Sequence, residues 1–310
     1  MKTVKNLMLL VFAGALLVSC SKVSYKKTPG GMPYKIFPGK DTTKVYAGSF
    51  IKLHLTQKIK DSVYFTSTET VPIYFQVNGT PQPYDLSEVW TKLKVGDSME
   101  ATQMMDTFIN RSPQNIPPQF HKGDRIITTV KILGVFSTDS AAKADGEKVK
   151  SEFLAKDLIK FEKIIADKKI NTVKTPSGAY VEFITPGAGT LADTGNYVSV
   201  NYTCMKLEDG TKYDSNTDSA FHHLGPYSFT AGAGEMVRGF DEAVLMMRKG
   251  SKVKVFMPSG LAYGDRPPQG SPIKPFTNIM FDLELVDIKD KAPAPPAQSQ
   301  QPGKVDMPQR

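Results

Sequence analysis

"GFDEAVLMMRKGSKVKVFMP", residues 239–258, changes its period half-way. Phe240, Ala243, Val244 and Met247 recur at helical spacing, Arg248 and Lys249 follow, and Gly250 stands just beyond. Cations in a last turn and a glycine past it are what a helix C-terminus favours. From there the period is two: Val253, Val255 and Met257 alternate with Lys252 and Lys254, as in a half-buried strand. The stretch predicts a short helix running directly into a strand.

The same pattern occurs 154 residues earlier, where "DLSEVWTKLKVG" (85–96) leads into "DSMEATQM" (97–104). Gly96 answers Gly250, Leu93 answers Met247 and Leu86 answers Phe240. The flanks agree: "SFIKLHLTQKIKDSVYF" (49–65) parallels "NYVSVNYTCMKLEDGTKY" (196–213), and "RIITTVKILGV" (125–135) parallels "NIMFDLELVDI" (278–288). "FPGKD" (37–41) likewise parallels "TPGAG" (185–189). The chain reads as a duplicated domain, each copy several antiparallel strands with one short helix. That is α+β, the helix lying on one face of the sheet.

At 310 residues there is room for two such domains. The formal net charge is +8, which would suit nucleic acid or an anionic surface. The lysines, however, are scattered among acids and strands and not gathered with stacking aromatics, so no nucleic-acid partner is expected. Between the copies, Leu154, Leu158, Phe161 and Ile165 step by four, three and four, one face of an amphipathic helix over 147–169. The end of the chain, "KAPAPPAQSQQPGKVDMPQR" (291–310), has little to bury and is expected to be disordered.

The start, "MKTVKNLMLLVFAGALLVSC" (1–20), has Lys2 and Lys5 ahead of an apolar run from Leu7 to Val18. That is the pattern of a signal peptide, too short for a membrane span. Its end, "LVSC", resembles the bacterial lipoprotein box, which implies cleavage before Cys20, lipidation of Cys20 and a membrane anchor facing the periplasm. The only other cysteine is Cys204, so with Cys20 lipidated no intramolecular disulfide can form, and a buried, inert thiol is expected. His222-His223 has no Cys or acidic partner at metal-ligand spacing and reads as surface loop. "PGAG" and "TAGAGE" lack the lysine of a phosphate loop.

Over about 178–288 the second copy resembles FKBP-type peptidyl-prolyl cis–trans isomerases. The resemblance rests on "VSVNYTCMKLEDGTKYDS", "PYSFTAGAGEMVRGFDEAV", "MPSGLAYG" and "MFDLELVDI", all in order. It implies a twisted antiparallel sheet around a short helix, with a shallow apolar pocket between them and no cofactor or metal. Position by position, it implies a catalytic set of Tyr202, Asp214, Tyr263 and Phe281. The lining would be Tyr213, Tyr227, Phe229, Met236, Val237 and Ile273, with Phe240 as the floor. Departures are Phe240 where the family often has Trp, Tyr213 for a more usual Phe, Cys204 for a common Gly, and a longer loop "SNTDSAFHHLG" (215–225). The implied ligands are proline-containing unfolded or nascent exported polypeptides and macrolide inhibitors.

In the first copy Leu55 stands for Tyr202, Thr66 for Asp214 and Thr128 for Phe281, and nothing like "LAYG" follows Met104. It is expected to be a degenerate FKBP-like domain serving as a spacer or a second client contact. The expected organisation is a signal peptide (1–19), a lipidated tether (20–32), the degenerate domain (33–137), a helical linker (138–175), the isomerase domain (176–290) and the tail (291–310). Two further functions fit the same chain: a non-catalytic chaperone or binding lipoprotein, and a structural subunit of an envelope complex.

Overall fold

The computed structural model describes residues 24–116, 120–268 and 270–292. The expected signal peptide, Cys20 and almost all of the expected disordered tail lie outside them. Two compact units divide the chain, residues 1–146 and 147–310.

In the first unit, the strands are β1 (Lys26–Lys27), β2 (Pro33–Phe37), β3 (Phe50–Ile59), β4 (Ser62–Thr66), β5 (Ile73–Gln76), β6 (Ser98–Met104) and β7 (Arg125–Phe136). They form one antiparallel sheet in the order β1-β2-β6-β7-β3-β4, with β5 also on β3. The alternation in the sequence is the alternation in space. Met99 and Ala101 of β6, Ile51 and Leu53 of β3, and Val130 and Ile132 of β7 are all buried in one core. The sheet starts ahead of residue 33, because β1 pairs with β2.

The expected first-copy helix is two successive 3-10 turns, Leu86–Glu88 and Trp90–Lys92. Glu88 points inward and its carboxylate accepts hydrogen bonds from Thr28 Oγ1 (2.6 Å), Gly30 N–H (2.7 Å) and Tyr84 N–H (2.9 Å). Meanwhile Val89, Trp90 and Leu93 are buried, with Trp90 edge-on to Phe75 at 5.4 Å. Consecutive inward residues suit the tighter turn, whose side chains repeat every three residues. A short helix α1 (Met105–Arg111) follows β6.

The second unit repeats the plan with β8 (Val173–Lys174), β9 (Tyr180–Thr185), β10 (Tyr197–Lys206), β11 (Lys212–Ser215), β12 (Tyr227–Thr230), β13 (Lys252–Met257) and β14 (Ile279–Lys289). Their order, β8-β9-β13-β14-β10-β11 with β12 on β10, matches that of the first sheet strand for strand. Here α3 (Arg238–Val244) is a true helix and lies against the sheet. Gly239 makes this approach possible, since a Cβ there would sit 2.5 Å from Met257 Sδ. The fold is α+β, two antiparallel sheets each with its own core.

A long helix, α2 (Asp139–Asp167), follows β7 in the chain and begins earlier than the periodicity indicated. Phe161 and Ile165 are buried, with Leu207 and Phe256 of the second unit around them. Leu158, by contrast, is 41% exposed. Of the expected stripe, Leu158 is therefore off the packed face.

Candidate active site

Sheet register sets the site. Cys204 of β10 stands opposite Asp214 of β11 on one side and Phe281 of β14 on the other. Phe281 in turn faces Val255 of β13. Alternation puts Val200, Tyr202 and Cys204 on this same inner face, the face that α3 covers. Phe240, at the centre of α3, is 0% exposed. Phe281 meets it edge-on at 5.0 Å and Phe229 at 5.9 Å, both in the T-shaped arrangement that aromatic pairs favour.

Around this aromatic base the predicted residues come together. Ile273 is buried in the same cluster, and Tyr202, Tyr213, Met236, Val237 and Tyr263 pack against it half-buried. Tyr227 is 45% exposed and stacks on Phe229 at 6.1 Å, which places it at the rim and not in the wall. Phe229 is wholly inside, part of the support beneath the pocket.

The polar edge is built from β10 and β11. The Tyr202 hydroxyl donates to Asp214 Oδ2 at 2.6 Å, and the Ser215 N–H donates to Oδ1 at 2.9 Å. His223 Nε2 lies 2.6 Å from the same Oδ1, and its ring stacks on that of Tyr202 with centroids 6.5 Å apart. No sequence pattern connects His223 with Asp214, nine residues away. The connection is made by the loop: a 3-10 turn at Ser219–Phe221 ends in left-handed His222, which turns the chain back over β11. The clue present was the extra length of 215–225.

Burial, and then the nearby Cys204 and Asp214, push the Tyr263 hydroxyl up to about 12. Burial and the hydrogen bond to Asp214 raise that of Tyr202 as well. Both therefore remain O–H donors at neutral pH. Cys204 is buried behind them, its thiol pushed up to about 12 by burial and then by Asp214. Among the described residues no group of three or more His, Cys, Asp or Glu is placed to hold a metal.

A separate groove of about 370 Å³ crosses the opposite face of the sheet, lined by Asn201, Thr203, Lys252, Lys254, Asp282 and Glu284 among others. Its charges are paired, Lys254 with Asp282 at 2.7 Å and Lys252 with Glu284 at 3.3 Å. Of the aromatic residues of the α3 side, Tyr202 alone also borders it.

In the first unit the same register shows what stands in each place. Gln57 of β3 lies between Phe65 of β4 and Thr128 of β7, as Cys204 lies between Asp214 and Phe281. Phe65, and not Thr66, therefore takes the place of Asp214; Thr66 pairs with Thr56 as Ser215 pairs with Thr203. Ser67 confirms the frame, accepting from Leu55 N–H through its side chain as Asn216 accepts from Tyr202 N–H.

The family model for the FKBP-type peptidyl-prolyl cis-trans isomerase matches residues 189–286. The chain is 41% identical over 98 residues to the peptidyl-prolyl cis-trans isomerase FPR2 of Saccharomyces cerevisiae, covering 32% of this chain and 69% of that one. It is 39% identical over 113 residues to the peptidyl-prolyl cis-trans isomerase Fkbp12 of Drosophila melanogaster, covering 36% and 99%. To an FK506-binding protein of Neisseria meningitidis it is 35% identical over 108 residues, covering 35% and 94%. The chain belongs to the FKBP-type peptidyl-prolyl cis-trans isomerase family.

Proposed function

We propose that the second unit catalyses rotation about X–Pro bonds in polypeptides, using the pocket over Phe240. The observation that carries this is the closed aromatic base of Phe240, Phe281 and Phe229, edged by Tyr202–Asp214 and Tyr263. An amide resists rotation by about 18–20 kcal/mol because resonance stiffens its C–N bond. The twisted amide has lost that resonance and with it much of the carbonyl's polarity. A dry aromatic pocket therefore favours it over the planar form, which water solvates better. No bond is made or broken, and no nucleophile is needed. Tyr263 donates its hydroxyl to a substrate carbonyl, while Asp214, held by Tyr202, orients the pocket edge and faces the amide carbon. Substrate proline sits over Phe240 between Val237, Ile273 and Phe281, and the same surface is offered to macrolides.

The first unit keeps the sheet and lacks this edge, with Leu55, Phe65 and Thr128 in the three places, and serves as a spacer or a second client contact. Cys20, in its "LVSC" setting, carries lipid and holds the protein in a bacterial envelope facing the periplasm, where its clients are exported polypeptides. Fatty-acid labelling of the expressed chain, lost in Cys20→Ser, tests the anchor. Accelerated cis–trans exchange of a Leu-Pro or Phe-Pro peptide by the full chain tests the activity. No acceleration would favour a non-catalytic binding protein.

A further inference from the structure

Tyr263 is carried on a loop that the second unit's own sheet holds at only a few points. Gly264 N–H and Ala262 N–H both return to the Ser259 carbonyl, at 2.9 and 3.2 Å, and Phe276 N–H donates to the Gly264 carbonyl at 2.7 Å. Beside its packing on the aromatic cluster, Tyr263 is therefore held through the backbone by Ser259 and Phe276.

Both are gripped by α2. The Ser259 hydroxyl donates to Asp157 Oδ2 at 2.7 Å. Asn278, buried like Ser259, accepts from Ser259 N–H at 2.8 Å and points its amide N–H groups at Glu208 (3.0 Å) and Asp157 (3.5 Å). Phe153 packs on Phe276 with ring centroids 4.6 Å apart. A side chain on Gly260 would touch Leu154 at 3.5 Å. Lys150 pairs with Asp265 at 3.0 Å, just past Tyr263. Residues 150, 153, 154 and 157 are i, i+3, i+4 and i+7, one face of a helix. One turn further on, Phe161 and Ile165 anchor the helix to the sheet.

We infer that α2 is a working part of the isomerase and that Asp157 is a positioning residue, setting the Tyr263 hydroxyl through Ser259. This rests on the role given to Tyr263 above. A groove of about 310 Å³ is lined by Leu154, Asp157 and Leu158 of α2 and by Pro258, Gly260 and Leu261 of the loop. Without the Asp157 contact, the loop has room to shift and not merely to lose a bond. Small displacements of a group that must meet a transition state are costly to rate even where the fold survives.

The test uses the full chain and a short X–Pro peptide. Asp157→Ala should lower kcat/KM roughly tenfold, whereas Asp157→Asn, which keeps an acceptor oxygen for Ser259, should stay near the native rate. In a Tyr263→Phe background, adding Asp157→Ala should cost little more, because both changes act through one hydroxyl. Ser259→Ala, which removes the same bond from the loop side, gives the same reading if Asp157→Ala folds poorly. Native activity in both Asp157→Ala and Ser259→Ala, or a full additional loss in the Tyr263→Phe background, would overturn the inference. Native activity in Tyr263→Phe would instead bring down the role of Tyr263, and the positioning of it with that role.

Discussion

His223 and Tyr202 hold the two oxygens of one carboxylate: His223 Nε2 lies 2.6 Å from Asp214 Oδ1, and the Tyr202 hydroxyl donates to Oδ2 at 2.6 Å. The imidazole and the carboxylate are both nearly half exposed, at 47% and 42%. Solvent therefore screens their attraction. His223→Ala should reduce kcat/KM by less than about fivefold, the range of an exposed pair. Asp214→Asn, which alters what both neighbours bind, should cost more. Steady-state rates of the two variants side by side check the order, and a larger loss from His223→Ala would contradict it.

Cys204 should be chemically silent in the folded protein. Its thiol is pushed up to about 12 by burial and then by Asp214, so at pH 8 almost none is the reactive thiolate. In a Cys20→Ser background, a thiol reagent should leave Cys204 unlabelled under native conditions and label it fully in denaturant. Rapid native labelling would mean that the inner face opens readily.

Acid should loosen the junction of α3 with the turn between β8 and β9 at Glu242. Burial pushes this carboxyl up, but hydrogen bonds from Ser177 and Arg238 outweigh it, and the result is about 2 against an ordinary 4.5. The Ser177 N–H donates at 2.8 Å and Arg238 Nε at 3.0 Å. A lowered folded value means that the stability is present in full above about pH 4.5 and is lost as pH falls towards 2. Urea midpoints measured at pH 7, 4 and 3 should fall less steeply in Glu242→Gln than in the native chain. Equal slopes would remove Glu242 from the account.

Tyr263 works in the other direction. A hydroxyl pushed up to about 12 stays protonated through any pH at which the protein is assayed, and so keeps its donor. Exchange rates should show no loss assignable to a tyrosine between pH 6 and about 10. A fall near pH 10 that vanishes in Tyr263→Phe would show an ordinary, solvated hydroxyl.

Much of this was legible beforehand, and the misses have physical causes. The duplication showed because helix and strand periods survive substitution, and the pocket residues showed because strand alternation puts Tyr202 and Phe281 on one face. Phe65 was missed as the counterpart of Asp214 because the two hairpins turn differently: a tight turn through Lys60 and Asp61 joins β3 to β4, while five residues join β10 to β11. Setting the aromatic Phe65 against the aromatic Tyr213 puts Thr66 on Asp214, one residue out of the true register. The contact face of α2 was half seen for a different reason. Hydrophobic spacing finds Leu154, Phe161 and Ile165, but Lys150 and Asp157 face polar partners, Asp265 and Ser259, which no apolar period can reveal.

The most direct test of the account is the cis–trans exchange rate of a Phe-Pro peptide, measured with the native full chain and with the double variant Asp214→Val, Tyr263→Phe. Both must give the same near-ultraviolet spectrum, as evidence of an intact Phe240 core. The account predicts strong acceleration by the native chain and loss of most of it, at least about tenfold, in the variant, since each lost hydrogen bond is worth roughly 1 kcal/mol or more. Equal acceleration by both would contradict it, placing the chemistry outside the pocket over Phe240.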